Sequence, residues 1–253
     1  MNSFAIVIPA RMESTRLPRK VMKDIDGMTM IEQVVRRVKL VVPEQDIYIA
    51  TDNQEIIEHA NNLKVNSTLT SKSHQNGTSR VAEASQDLEY DYIVIVQADE
   101  IMLVPDQLVS LIEKIKNTSE KISYNLVSKI SQKDLSDESV VKSFLAPNSR
   151  IIFLSRGNPL TKTSGEQEKF LKKNTGIFAF PKEVLLQIQN LPNTPIQESE
   201  SIEQLKLIEN MIEINGLYSE HSYPSINEEK DLEQYRSIMK TDRLQQSIFK
   251  LIQ

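Results

Sequence analysis

The sequence predicts an α/β fold, a mostly parallel sheet with helices on both faces. Three observations carry that reading. Apolar, β-branched runs at residues 4–8, 46–51 and 91–97 alternate with segments whose apolar residues recur at helical spacing. That alternation holds across the first 117 residues, which favours parallel pairing through crossover helices. Finally, 39% apolar and 26% charged residues over 253 positions are globular proportions, enough for one large domain.

Taken in order, residues 4–8 form an apolar run that stops at Pro9, the pattern of a buried strand. Residues 28–42 carry Met30, Ile31, Val34, Val35, Val38 and Val41 on one face, and Pro43 ends that helix. A strand follows at 46–51, a helix at 55–63, a short strand at 64–69 and a helix at 79–88. DYIVIVQ at 91–97 is the clearest buried strand, and Pro105 opens a helix over 105–116. The second half predicts strands at 122–130, 139–145, 151–154 and 175–180, and helices at 181–189 and 201–210. Strands in succession imply antiparallel pairing at an edge or in a subdomain, and the polar stretch 161–173 reads as the least ordered. From Glu228 onward an apolar stripe, Leu232, Tyr235, Ile238, Met239, Leu244, Ile248, Leu251 and Ile252, is expected to pack on its own domain.

Composition excludes several classes of function. Thirty basic against 35 acidic residues give a net charge of −5, which argues against a nucleic-acid backbone as the main partner. The absence of cysteine removes disulfides, thiolate nucleophiles, zinc ribbons and Fe–S clusters, and suits a reducing, cytoplasmic compartment. No apolar run approaches membrane-spanning length, and residues 1–9 have neither a basic n-region nor a cleavage site, so no membrane partner is expected. The six glycines are not spaced as a dinucleotide fingerprint or a P-loop.

In open α/β sheets ligands bind beyond the carboxyl ends of the strands, which directs attention to the loops after Ile8 and Val96. The first, PARMESTRLPRK, carries Arg11, Arg16, Arg19 and Lys20 with Ser14 and Thr15, a natural clamp for polyphosphate oxygens. A solvated basic loop is the plainer reading of the same residues. The second, Gln97-Ala98-Asp99-Glu100, places two carboxylates where one would hold Mg²⁺ beside a phosphate, with helix capping as the plainer alternative. His59 and His221 have no second ligand at metal spacing and read as structural. His74 precedes QNGTSR, where Thr78 and Ser79 are potential helix caps and Arg80 points towards the same helix start.

PARMESTRLPRK, HQNGTSR, VQADE, FLSR, TGIFAF and ESIEQLK occur in the order and spacing of the 3-deoxy-manno-octulosonate (Kdo) cytidylyltransferases, which the chain resembles from Phe4 to about Met239. The resemblance implies a Rossmann-like nucleotidyltransferase sheet with a smaller antiparallel dimerisation subdomain. Residues 1–253 would form one domain, with a nucleotide-binding half at 1–117 and a sugar-binding and dimerisation half at 118–253. It implies CTP and a sugar acid as substrates, Mg²⁺ as cofactor, a homodimer, and a product destined for lipopolysaccharide or another glycan. Carried over residue by residue, Ala10, Arg11, Ser14, Lys20, Gly77, Arg80 and Gln97 would bind the nucleotide. Arg11, Arg16, Lys20 and Asp99 would be catalytic, and Arg156, Asn174, Glu203 and Gln204 would hold the sugar. Asp99 and Asn227 would bind the metal, with Glu228 as substitute for Asn227.

The sequence also departs from the family's pattern. Asn227 stands where the family has an aspartate, which removes one negative charge from the metal site. Asn174 replaces a histidine, Phe178 a tyrosine, Ala98 and Arg19 each a glycine, and Ile101 a proline. Two further readings therefore stay open at this point: the same reaction on another sugar acid, such as 8-amino-Kdo or a sialic-type acid, and a non-catalytic nucleotide-binding paralogue.

Overall fold

The structure is a computed structural model and describes residues 1–14, 16–74, 76–158 and 167–253. The first half runs β1 Phe4–Ala10, β2 Asp24–Ile25, β3 Met28–Thr29, α1 Met30–Lys39, β4 Ile47–Thr51, α2 Gln54–Asn62, β5 Asn66–Leu69, α3 Gly77–Ala84, β6 Tyr92–Val96 and α4 Pro105–Asn117. The second continues with β7 Ser123–Ser128, α5 Gln132–Ser136, β8 Lys142–Leu145, β9 Ile151–Ser155, β10 Leu171–Pro181, α6 Lys182–Ile188, α7 Pro195–Glu200, α8 Gln204–Glu209, β11 Ile214–Ser219, α9 Glu229–Thr241 and α10 Arg243–Ile252.

One sheet takes strands from both halves, in the order β11-β7-β10-β6-β1-β4-β5. β1 pairs in parallel with β4 and β6, β4 with β5, and β11 with β7. β10 alone runs antiparallel on this path, between β6 and β7. β8 and β9 form an antiparallel branch from its first residues. The expected fold class, mostly parallel with a small antiparallel part, is the observed one.

Because strand side chains alternate, Ile6 and Ile8 join one core with Ile31, Val34 and Leu108, while Ala5 and Val7 join another with Val81 and Leu185. Both faces are covered by helices, which explains why β1 and β6 are apolar without alternation. The C-terminal stripe packs as expected at Leu232, Tyr235, Ile248 and Ile252, whereas Leu244 and Leu251 are exposed. Among the described residues no helix is long and apolar enough to cross a membrane.

The structure departs from the expected elements in five places. Residues 24–29 form a β2–β3 hairpin, and α1 starts only after Thr29, whose hydroxyl accepts from the Glu32 N–H and caps the helix. β11, INGLYS, was not expected, because Asn and Gly are depleted in strands, and its pairing with β7 overrides that preference. The short helices α5 and α7 were also unforeseen. Of the stretch read as least ordered, Leu171–Lys173 belong to β10, paired with β8, while 161–166 lie outside the described residues.

Candidate active site

β1 and β6 are parallel neighbours, so the loops after Ala10 and Val96 leave the sheet at the same edge. A third segment, just ahead of α9, reaches them: the Ile226 N–H donates to the Asp99 carbonyl at 3.2 Å. Asn227 is fixed there because the Asp231 carboxylate accepts from the N–H groups of Asn227 (2.7 Å) and Glu228 (2.8 Å). Lys20 enters a single 3-10 turn through Arg19, which sits in the left-handed region at φ 53°. Its Nζ donates to Asp99 Oδ2 at 2.7 Å and to Asn227 Oδ1 at 3.3 Å. Arg16 reaches the same corner, donating to Asn227 Oδ1 at 3.5 Å and Glu228 Oε1 at 3.4 Å.

Two cavities open from this corner. One of about 240 Å³ is lined by Ala10, Arg11, Ser14, Lys20, Gly77, Arg80 and Gln97, every residue expected to meet a nucleotide. The other, of about 820 Å³, is lined by Arg156, Asn174, Glu203 and Gln204, every residue expected to meet a sugar, with Phe178 beside them. Arg16, Asp99 and Asn227 line both.

Several of these side chains are also committed to the framework. Arg80 is buried in the wall of the small cavity and donates to Thr70 Oγ1 (2.6 Å) and Asp52 Oδ2 (2.7 Å). Gly77 opens α3 so close to the neighbouring strands that a Cβ would lie 3.1 Å from the Gln97 amide and the Pro9 ring. The cap of α3 is Asn76, whose Oδ1 accepts from the Ser79 N–H at 2.9 Å, rather than Thr78 or Ser79. His74 contacts the Glu83 carboxylate and Ser79 Oγ, and His59 contacts Thr29 Oγ1, both outside the two cavities.

The two acids after β6 have different roles. Glu100 is buried and accepts from the Gly176 N–H (2.8 Å) and Ser225 Oγ (2.9 Å), so it ties β10 to the loop. Burial, and then the charge of Asp99, push its carboxyl above the usual range. A Cβ at Gly176 would stand 2.6 Å from Glu100 Oε1, so any side chain there must displace Glu100 or β10. Asp99 is the carboxylate that faces both cavities.

On the sugar side the Arg156 guanidinium donates to the carbonyls of Glu200 (3.1 Å), Glu138 (3.3 Å) and Ser201 (3.4 Å). Asn174 Oδ1 accepts from Ser143 Oγ at 3.0 Å. Burial pushes the Glu203 carboxyl up to about 7, against hydrogen bonds from Thr78 and Asn76 that lower it. Glu203 therefore links the large cavity to the first turn of α3, which borders the small one. Sequence reasoning missed Lys142, which is fully buried and donates to the carbonyls of Asp137 (2.6 Å) and Arg156, both in the wall of the large cavity. The signal was a lysine inside an apolar strand, VVKSF.

Asp99 Oδ2 and Asn227 Oδ1 converge on one cationic nitrogen, so both lie within reach of a single cation. One carboxylate and one amide oxygen suit Mg²⁺ when phosphates and water complete its shell. Among the described residues no group of three or more His, Cys, Asp or Glu forms a metal cage.

With the site in view, residues 5–214 match the family model described as cytidylyltransferase. The chain belongs to the cytidylyltransferase family. A 3-deoxy-manno-octulosonate cytidylyltransferase of Fusobacterium nucleatum is 33% identical over 244 residues, covering 95% of this chain and 98% of the relative. One from Koribacter versatilis is 31% identical over 235 residues, covering 93% and 89%. Among solved structures, CMP:2-keto-3-deoxy-manno-octonic acid synthetase complexed with CTP is similar at a TM-score of 0.86 and 28% identity, over 95% of this chain and 99% of that one. As a cytidylyltransferase the protein is a nucleotidyltransferase, an enzyme.

Proposed function

We propose that the protein joins the CMP part of CTP to the anomeric hydroxyl of Kdo and releases pyrophosphate. The observation that carries this is the meeting of two cavities at Arg16, Asp99 and Asn227: a reaction between two bound substrates needs such a corner. The nucleotide would lie in the small cavity with its α-phosphate at the corner, and the sugar acid in the large one. The hydroxyl oxygen attacks the α-phosphorus in line and gives up its proton to solvent, forming the new O–P bond while the bond to the β-phosphate oxygen breaks. Arg11, Arg16 and Lys20 stabilise the charge that develops on the leaving pyrophosphate. No residue forms a covalent intermediate. Mg²⁺, held by Asp99 and Asn227 Oδ1, would neutralise charge on the phosphate oxygens. Asn227 suits that role better than Glu228, whose carboxylate pairs with Lys230 and Arg16 and is held below its usual range by them.

The sugar specificity belongs to the same proposal. The Kdo cytidylyltransferase relatives support Kdo as acceptor, while Asn174, a neutral amide, and Phe178, a ring without a hydroxyl, line the large cavity where the family's pattern differs and favour a modified Kdo as the alternative. We further read the working unit as a cytoplasmic homodimer, with 1–117 serving the nucleotide and 118–253 the sugar and the subunit contact. Exposed Ile152, on the edge strand β9, and exposed Phe170 support a contact there. Incubating the protein with CTP, Mg²⁺ and either Kdo, 8-amino-Kdo or a sialic acid tests the reading through pyrophosphate release. Release with Kdo is expected. Release with another acid alone corrects the acceptor, and CTP binding with silence across the panel would move the protein to the non-catalytic class.

A further inference from the structure

We propose that Arg37 and Gln245, which line neither cavity, are positioning residues that hold the loop carrying Asp99. That loop joins β6 to α4 through two successive turns, in which the Glu100 N–H donates to Gln97 O (3.1 Å) and the Leu103 N–H to Glu100 O (3.0 Å). Its far end is gripped from beneath by two helices distant in sequence. Arg37 Nη1, on α1, donates to the Leu103 carbonyl at 2.9 Å, and Gln245 Nε2, on α10, donates to the Met102 carbonyl at 2.8 Å. Met102 and Leu103 are each 1% exposed, so these carbonyls depend on protein donors.

The energetics of the two side chains separate a positioning role from a merely stabilising one. Arg37 and Gln245 are both 0% exposed. Among the described residues Arg37 has no carboxylate at ion-pair distance, and its Nε and Nη2, like Gln245 Oε1, have no hydrogen-bond partner. Burial pushes the Arg37 pKa down to about 10, although Tyr235 and Tyr223 act to raise it. A buried guanidinium without a counter-ion opposes folding, and replacing buried charge by a well-packed apolar side chain is often neutral or stabilising. A side chain that works against stability while gripping the loop of Asp99 is placed there for geometry. Catalysis by positioning is sensitive to shifts of about 1 Å at the reacting centre, so releasing this grip acts on Asp99 without touching it.

The activity arm of the test rests on the proposed cytidylyltransferase reaction; the exchange arm does not. Arg37→Met and Gln245→Leu are compared with the wild type by thermal unfolding, by amide hydrogen exchange at residues 100–104, and by pyrophosphate release from CTP and Kdo. In Arg37→Met the relief of the buried charge and the orphaned Leu103 carbonyl act in opposite directions. The melting temperature should therefore change little while exchange at 100–104 quickens about tenfold or more. Its kcat should fall about 10- to 100-fold with the KM for CTP changed less than about threefold. Arg37→Lys should recover part of the lost kcat, because an ammonium still donates to the Leu103 carbonyl. Gln245→Leu should act in the same direction, more weakly. A fall in melting temperature that accompanies the loss of turnover, or a failure of Arg37→Met to fold, would overturn the proposal, as would unchanged exchange and kcat. If the wild type releases no pyrophosphate, the functional reading fails separately, and faster exchange at an unchanged or raised melting temperature still decides for the proposal, any other result against it.

Discussion

The two cavities are built in different ways. The small one is formed mainly by loops that leave the carboxyl ends of parallel strands, and its functional groups come in short runs of sequence, 9–20, 76–80 and 97–99, joined at the shared corner by Asn227. The large one is assembled from Arg16, 99–100, 129–141, Arg156, the middle of β10 (173–178), 201–204 and 220–242. Its charges are mixed and largely tied to the backbone, as with Arg156 and Lys142. A site on consecutive residues of a strand-end loop is fixed by topology. A site gathered from seven segments is fixed by tertiary contacts and can change one wall at a time.

The sharpest way to break this comparison is at the corner both cavities share. Asp99→Ala should lower kcat by about 10³-fold or more while shifting the melting temperature little, since Asp99 faces the cavities and Glu100 ties the loop to β10. Steady-state pyrophosphate release beside thermal unfolding checks both halves of that statement, and near-normal turnover with Mg²⁺ would sink the metal assignment. Next in size is Gly176→Ala. Its Cβ would fall 2.6 Å from Glu100 Oε1, so β10 or the loop must shift, at a cost of about 1–3 kcal/mol in urea unfolding.

How far the sequence could be read follows the same division. The β-α alternation to residue 117 and the strands at 4–10, 47–51 and 92–96 follow from apolar runs and helical spacing, because a doubly covered parallel sheet imposes both. The strand-end rule then located the two loops of the small cavity before any fold was available. What stayed hidden depends on neighbours far along the chain. β11 contains Asn and Gly and becomes a strand because β7 offers its edge. Asp99 and Glu100 stood side by side as two carboxylates of which one would hold Mg²⁺, and the partners that tie Glu100 to the framework, Gly176 and Ser225, lie 76 and 125 residues away. The residues of the large cavity were reached through the resemblance alone, since Arg156, Asn174, Glu203 and Gln204 share no local pattern.

Smaller effects sharpen the contrast. Glu203 stands between the cavities with its carboxyl raised from 4.5 to about 7, so the folded protein keeps a proton there that the unfolded chain releases. More protons bound in the folded state means that this group's contribution to stability declines as pH rises from about 4.5 to about 7, then levels off. Glu203→Gln should therefore gain stability relative to the wild type across that window and keep a constant difference above it, as read from melting temperatures measured at a series of pH values. A difference that does not vary with pH would contradict the burial of this carboxyl. The smallest effect is expected at Arg19, whose left-handed backbone costs an L-residue about 1–2 kcal/mol. Arg19→Gly should stabilise by about 1 kcal/mol or less in urea unfolding, because the pair with Glu55 is exposed and glycine adds entropy to the unfolded chain. A clear loss of stability would show that this exposed pair outweighs the strain.

β10 loses register with β7 between Asn174 and Phe178, so its first part aligns with the antiparallel branch and its last with β6. The bulge works as a joint in the backbone. Replacements ahead of it, at Asn174 and its neighbours, redraw the wall of the large cavity without sliding the strand that borders Gln97 and Asp99. The acceptor wall can thus be redrawn while the strand beside the reacting corner keeps its place.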